Sequence, residues 1–158
     1  MKNKMISHGV VARNRKVEHN FHIEDKWEAG IILRGVEVKS LRKGTANISE
    51  AFVVERDGEL WLNNCYIPEY QGGTLSRFDP RASRKLLLNK KEVKKILGEM
   101  GKDGNAVVPI ELYFNDYGRA KVLIGLGTGK KKFDKRQDVA ERDWKRQQGR
   151  ILKNKQYD

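Results

Sequence analysis

The chain has 158 residues, the size of one domain, and 38% of them are hydrophobic, enough to build a core. Its single cysteine, Cys65, excludes an internal disulfide framework and a cysteine-rich zinc site. Lys and Arg number 33 against 21 Asp and Glu, and the net charge of +12 points to nucleic acid or another polyanion as partner.

Residues 1–9 read as a flexible basic arm without the apolar stretch of a secretory signal. Residues 10–17 and 21–23 read as short strands, and 27–38, rich in β-branched and aromatic residues, as a strand bent at Ala29-Gly30. A short helical turn over 39–44 is stopped by Gly44. Residues 51–55 and 60–66 flank Arg56-Asp57-Gly58-Glu59, and Asp-Gly between alternating apolar runs predicts a hairpin. Cys65 falls in its second strand as a small buried hydrophobe. Residues 68–81 hold Pro68, Gly72, Gly73 and Pro80 and read as a long loop. Asn89 with Glu92 opens a helix in a capping-box pattern. Val93, Ile96, Leu97 and Met100 follow on one face, Lys90, Lys91, Lys94 and Lys95 on the other, and Gly101 stops it. A second hairpin spans 107–114 and 120–126. No apolar run approaches the ~18 residues of a membrane span, so a soluble cytoplasmic protein with no membrane partner is expected.

Several short antiparallel strands around one helix predict a mainly β protein. An OB-fold, a small Greek-key barrel, leads over an SH3-like barrel or a split α+β sheet. The charge is concentrated. Residues 77–95 carry a net +6 and residues 130–158 another +6, so the rest of the chain sums to zero. Two basic segments on a balanced body predict two contact surfaces, with Arg84 and Lys85 on the first. In the second, Phe133, Ala140, Trp144 and Ile151 fall within about 40° of one another on a helical wheel, opposite Lys135, Arg142, Arg146 and Lys153. This tail either folds on an RNA surface or packs on the body as an amphipathic helix.

Chemistry-bearing patterns fail on inspection. Gly125-Leu126-Gly127-Thr128-Gly129-Lys130 has three residues between its outer glycines where a phosphate loop has four, and reads as a flexible exit from the last strand. His19 and His22 stand three apart where a strand is expected, a poor metal pair. No nucleophile is matched to a base, so neither an enzyme nor a cofactor is expected.

Asn14-Arg15-Lys16, Trp27-Glu28-Ala29-Gly30-Ile31, Glu37-Val38-Lys39-Ser40-Leu41-Arg42, Asp79-Pro80-Arg81, Arg84-Lys85-Leu86-Leu87-Leu88-Asn89, Ala120-Lys121-Val122 and Gly129-Lys130-Lys131-Lys132-Phe133-Asp134-Lys135-Arg136 stand in one order. In that order they resemble the SsrA-binding protein (small protein B) family of bacterial trans-translation, over about residues 13–155. The resemblance implies an OB-fold body over 10–129, and a basic tail over 130–158 that is disordered when free and helical on the ribosome. The body would bind the tRNA-like domain of transfer-messenger RNA (tmRNA). The complex would enter a stalled 70S ribosome, with elongation factor Tu and GTP delivering alanyl-tmRNA. The tail would lie along 16S ribosomal RNA through the decoding centre into the vacant mRNA channel, and the nascent chain would be tagged for proteolysis. By matching motifs, Glu28, Leu87 and Asn89 fall where the family binds tmRNA, with Lys85 as a phosphate contact. Gly129, Lys130, Phe133, Asp134, Lys135 and Arg136 match the tail motif, with Arg142 and Arg146 on its basic face. Many members carry His, Tyr or Trp where this chain has Phe133, so only a stacking role carries over. The alternatives are a general single-strand RNA binder, which 8% aromatic residues serve poorly, a basic ribosomal protein, and a metal-dependent nuclease.

Overall fold

The computed structural model describes residues 5–70, 78–129 and Arg146. The elements run β1 (Gly9–Arg13), α1 (Val17–Asn20), β2 (Phe21–Ile31), α2 (Gly35–Arg42), β3 (Phe52–Arg56), β4 (Glu59–Asn63), β5 (Arg84–Leu87), α3 (Lys90–Met100), β6 (Asn105–Phe114) and β7 (Ala120–Gly129). They form one antiparallel sheet in the order β1-β6-β7-β2-β5-β4-β3. The sheet coils until β3 lies against β6, yet no ladder joins those two strands among the described residues. The expected mainly β, OB-like architecture is therefore present as a coiled sheet and not as a closed barrel.

Alternation selects the core. Trp27, Ala29 and Ile31 of β2, Leu60 and Leu62 of β4, and Val122, Ile124 and Leu126 of β7 turn inward and are buried. Ile96 of α3 and Leu41 of α2 plug the coil. The hairpin turn is as expected, with Asp57 and Gly58 both at positive φ. So is the start of α3, where Asn89 Oδ1 accepts the Glu92 N–H at 2.9 Å and Glu92 Oε1 accepts the Asn89 N–H at 3.4 Å. The Ile6 N–H donates to the Arg42 carbonyl at 2.5 Å, and Arg42 Nη1 donates to the Ile6 carbonyl at 2.9 Å, so this part of the expected N-terminal arm is fastened to α2.

Three local expectations are corrected. The strand expected to run to residue 38 stops at Ile31. A helix starts at Gly35 instead, because Glu37 accepts the Arg34 N–H at 2.9 Å and outweighs the β preference of Val36 and Val38. The strand β5 lies where no element was assigned. The glycines at 125, 127 and 129 belong to β7 itself and are not a flexible exit. A Cβ at Gly127 would lie 2.9 Å from Phe21 Cβ and 3.2 Å from the His22 carbonyl oxygen, so packing against β2 demands glycine there. Gly127→Ala is expected to lower stability by about 1–3 kcal/mol through overpacking, read as a reduced urea midpoint at unchanged slope.

Candidate nucleic-acid interface

The sheet register decides which expected site residues share a surface. Gly30 pairs with Leu87, Ile31 with Leu86, Trp61 with Lys85 and Leu62 with Arg84. With Ile31, Leu62 and Leu86 buried, alternation sets Glu28, Lys85 and Leu87 on the outer face. Glu28 is exposed, and Leu87 and Ile32 keep about half their surface in solvent, at 50% and 51%. The fit opposite Leu87 is tight, since a Cβ at Gly30 would sit 3.2 Å from Leu87 Cβ. Lys85 Nζ is paired with Glu59 Oε2 at 2.9 Å. Asn89 is exposed at the edge of this face and caps α3.

Between the β4–β5 pair and α3 runs a groove of about 430 Å³. Leu87, Leu88, Val93 and Leu97 give it an apolar wall, and Lys85, Lys90 and Lys94 line it with ammonium groups. Apolar surface suits the faces of unstacked bases and ammonium groups suit phosphates, so the arrangement fits a folded RNA with exposed loop bases. A second set of cations lies on aromatic rings. Lys43 Nζ is 4.5 Å and Lys39 Nζ 5.7 Å from the Tyr70 ring centre, and the Arg81 guanidinium is 5.2 Å from that of Tyr66.

Arg84, expected beside Lys85 on this surface, faces the other way and is buried. Its Nε donates to Glu37 Oε2 at 2.5 Å, Nη1 to the Cys65 carbonyl at 2.6 Å and Nη2 to the Pro80 carbonyl at 3.2 Å. One guanidinium thus ties β5 to α2 and to both ends of the 64–83 connection. Its charge is matched by Glu37 and is not presented at the surface. Cys65, expected within a strand, lies just after β4 and is fully buried. Burial pushes its thiol up to about 11 against the opposing pull of Arg84, so it is a packing residue.

Tyr113 of β6 escaped sequence reasoning. Its phenol donates a hydrogen bond to Glu28 Oε2. Burial, then the hydrogen bond to Glu28 and the charge of Glu28, hold the phenol well above the usual tyrosine range. Of the expected tail residues, Gly129 ends β7 opposite Phe21, and Arg146 is exposed. Lys130, Phe133, Asp134, Lys135, Arg136 and Arg142 lie outside the described residues. Among the described residues no group of His, Cys, Asp and Glu is arranged to hold a metal ion, and no helix is long and apolar enough to cross a membrane.

The family model described as SmpB protein matches residues 11–154. An SsrA-binding protein of Acidiphilium cryptum is 56% identical over 154 residues, which cover 98% of this chain and 97% of its own length. Another, of Gluconacetobacter diazotrophicus, is 56% identical over 151 residues, covering 96% and 98%. A solved structure described as "tmRNA-SmpB: a journey to the center of the bacterial ribosome" matches with a TM-score of 0.64 and 46% identity, over 75% of this chain and 83% of that one.

Proposed function

Since this chain belongs to the SmpB protein family, we propose that it is an RNA-binding factor of trans-translation that binds tmRNA and carries it to stalled ribosomes. The observation that carries this reading is the 56% identity to SsrA-binding proteins over nearly the whole of both chains, tail segment included. The coiled sheet binds the tRNA-like domain through its outer face. Glu28 and Asn89 supply polar contacts there, Leu87 packs on exposed bases, and Lys85 with the α3 lysines meets phosphates. Arg84 acts from behind, by fixing β5.

Residues after Gly129 form the second functional unit. Gly129, Lys130, Phe133, Asp134, Lys135, Arg136, Arg142 and Arg146 address the ribosome, with Phe133 stacking on a base and the cations neutralising ribosomal RNA phosphates. This unit folds as a helix along 16S RNA from the decoding centre into the empty mRNA channel. Alanyl-tmRNA arrives with elongation factor Tu and GTP, and the protein works in the cytoplasm by binding, without a reaction of its own.

The direct test is to sequence the RNA that copurifies with the tagged full-length protein from its own cells. One tmRNA species should dominate. A broad spread of unrelated RNAs, or ribosomal RNA retained in high salt, would overturn the reading in favour of a general RNA binder or a structural ribosomal protein. A finer prediction concerns Lys85. If its ammonium leaves Glu59 for a phosphate on binding, Lys85→Ala should weaken tmRNA binding and reduce the slope of log affinity against log salt by about one. Binding isotherms at four or five salt concentrations measure that slope, and an unchanged slope removes Lys85 from the phosphate contacts.

A further inference from the structure

Glu28 poses a problem on a surface meant for RNA, because an exposed carboxylate repels phosphate. The structure gives that carboxylate a partner 85 residues away, the phenol of Tyr113. The two residues are not on neighbouring strands. Glu28 pairs with Leu123 of β7, and Leu123 pairs in turn with Glu111 of β6, so the Tyr113 side chain reaches across β7 to meet Glu28. Glu28 is exposed and Tyr113 half-buried, and polar pairs at such a surface add little to folding stability. The contact does restrict a side chain with three rotatable bonds. With Oε2 engaged by the phenol, Oε1 is left to accept from something else.

We propose that Tyr113 is a positioning residue for RNA binding: it fixes the Glu28 carboxylate so that Oε1 accepts hydrogen bonds from base N–H or 2′-hydroxyl groups of unpaired nucleotides in tmRNA. An acid is suited to this task because it accepts from those donors and turns away a phosphate that would slide into the same place, which adds discrimination to affinity. Fixing it in advance removes an ordering cost that each binding event would otherwise carry. A phenol is protonated, and hence a donor, throughout the neutral range, and that of Tyr113 is held still further from ionisation. The inference rests on the tmRNA-binding reading of Glu28 above.

A double-mutant cycle separates the two ideas. The full-length protein, Tyr113→Phe, Glu28→Ala and the double variant are titrated with the transcribed tRNA-like domain of tmRNA at one salt concentration. Tyr113→Phe should weaken binding about three- to ten-fold, with an unchanged urea midpoint. Glu28→Ala should weaken it at least as much, and the double variant no further, because the phenol acts only through the carboxylate. A readout without RNA accompanies the cycle. In protein labelled with ¹³C on its tyrosine rings, Glu28→Ala should bring the Tyr113 titration down toward the ordinary tyrosine range. If Glu28→Ala binds like the parent, the role of Glu28 in tmRNA binding is wrong. If Glu28→Ala is weakened while Tyr113→Phe is not, or if the two losses add, the positioning role is wrong and the role of Glu28 stands. A Tyr113 titration indifferent to Glu28→Ala would also overturn the proposal, since it would mean the two groups do not meet in solution.

Discussion

Arg84→Met is expected to destabilise the protein by about 3–5 kcal/mol, a large share of the ~5–15 kcal/mol that holds a domain of this size. The side chains of Arg84 and Glu37 retain only 2% and 7% of their surface in solvent. Removing the guanidinium leaves the buried Glu37 carboxylate without its ion-pair partner; the Cys65 carbonyl loses the donor it now has, and the Pro80 carbonyl keeps only the Ile67 N–H. Urea unfolding followed by circular dichroism gives the size of the loss. The control is Glu37→Leu combined with Arg84→Met, which removes both charges. It should be more stable than Arg84→Met alone, because the cost lies chiefly in the abandoned charge. A single variant as stable as the parent would mean that water reaches Glu37 and that the pair is not sealed. Loss of RNA binding by Arg84→Met would follow from a displaced β5 and would not mark Arg84 as a contact.

The second large effect concerns the segment after Gly129. A chain ending at Gly129 keeps β1 to β7, since β7 ends there. It also keeps Glu28, Lys85, Leu87, Asn89 and Tyr113. It should bind the tRNA-like domain within a few-fold of the full chain, the residual loss coming from the net +6 of residues 130–158. Tagging of the nascent peptide on stalled ribosomes should fall to background. Both are measured in one reconstituted translation system, with tmRNA binding by filter retention and tagging by incorporation of labelled alanine. Failure to bind tmRNA would make the tail part of the body's RNA surface. Surviving tagging would remove the tail from the ribosomal step.

What the sequence disclosed was local. Asn89 and Glu92 are three residues apart, and Asp57-Gly58 dictates its own turn, so both could be read from a few neighbours. Strand β5 was opaque because its inward positions are Arg84 and Leu86. Charge normally marks the outside of a strand, and only a partner 47 residues away, Glu37, makes an inward arginine tolerable. The same Glu37 converts 35–38 from expected strand to helix. Glycines spaced two apart looked like a loop because their crowding comes from Phe21, Ile23 and Ile110, residues on other strands. Motif resemblance singles out Glu28, Lys85, Leu87 and Asn89, and three of them share one outer face with Asn89 at its edge. The structure withdraws Arg84 from that face and adds Tyr113, whose partnership with Glu28 spans too much chain for any spacing rule to see.

The strand order also sets a timetable for making the protein. β2, with Trp27, Ala29 and Ile31 on its buried face, lies between β5 and β7, and among the described residues β1 pairs only with β6. The partners of Phe21–Gly30 on β7 are Lys121–Gly129, roughly a hundred residues later. At the ~5–20 residues per second of bacterial and eukaryotic synthesis, that separation is about 5–20 s during which an apolar strand has been made and its partner has not. Pairings of this span also close slowly once both strands exist. The nascent chain is therefore a natural client for holding chaperones, and yield in cells should respond to translation speed and chaperone supply more than to the equilibrium stability of the finished fold.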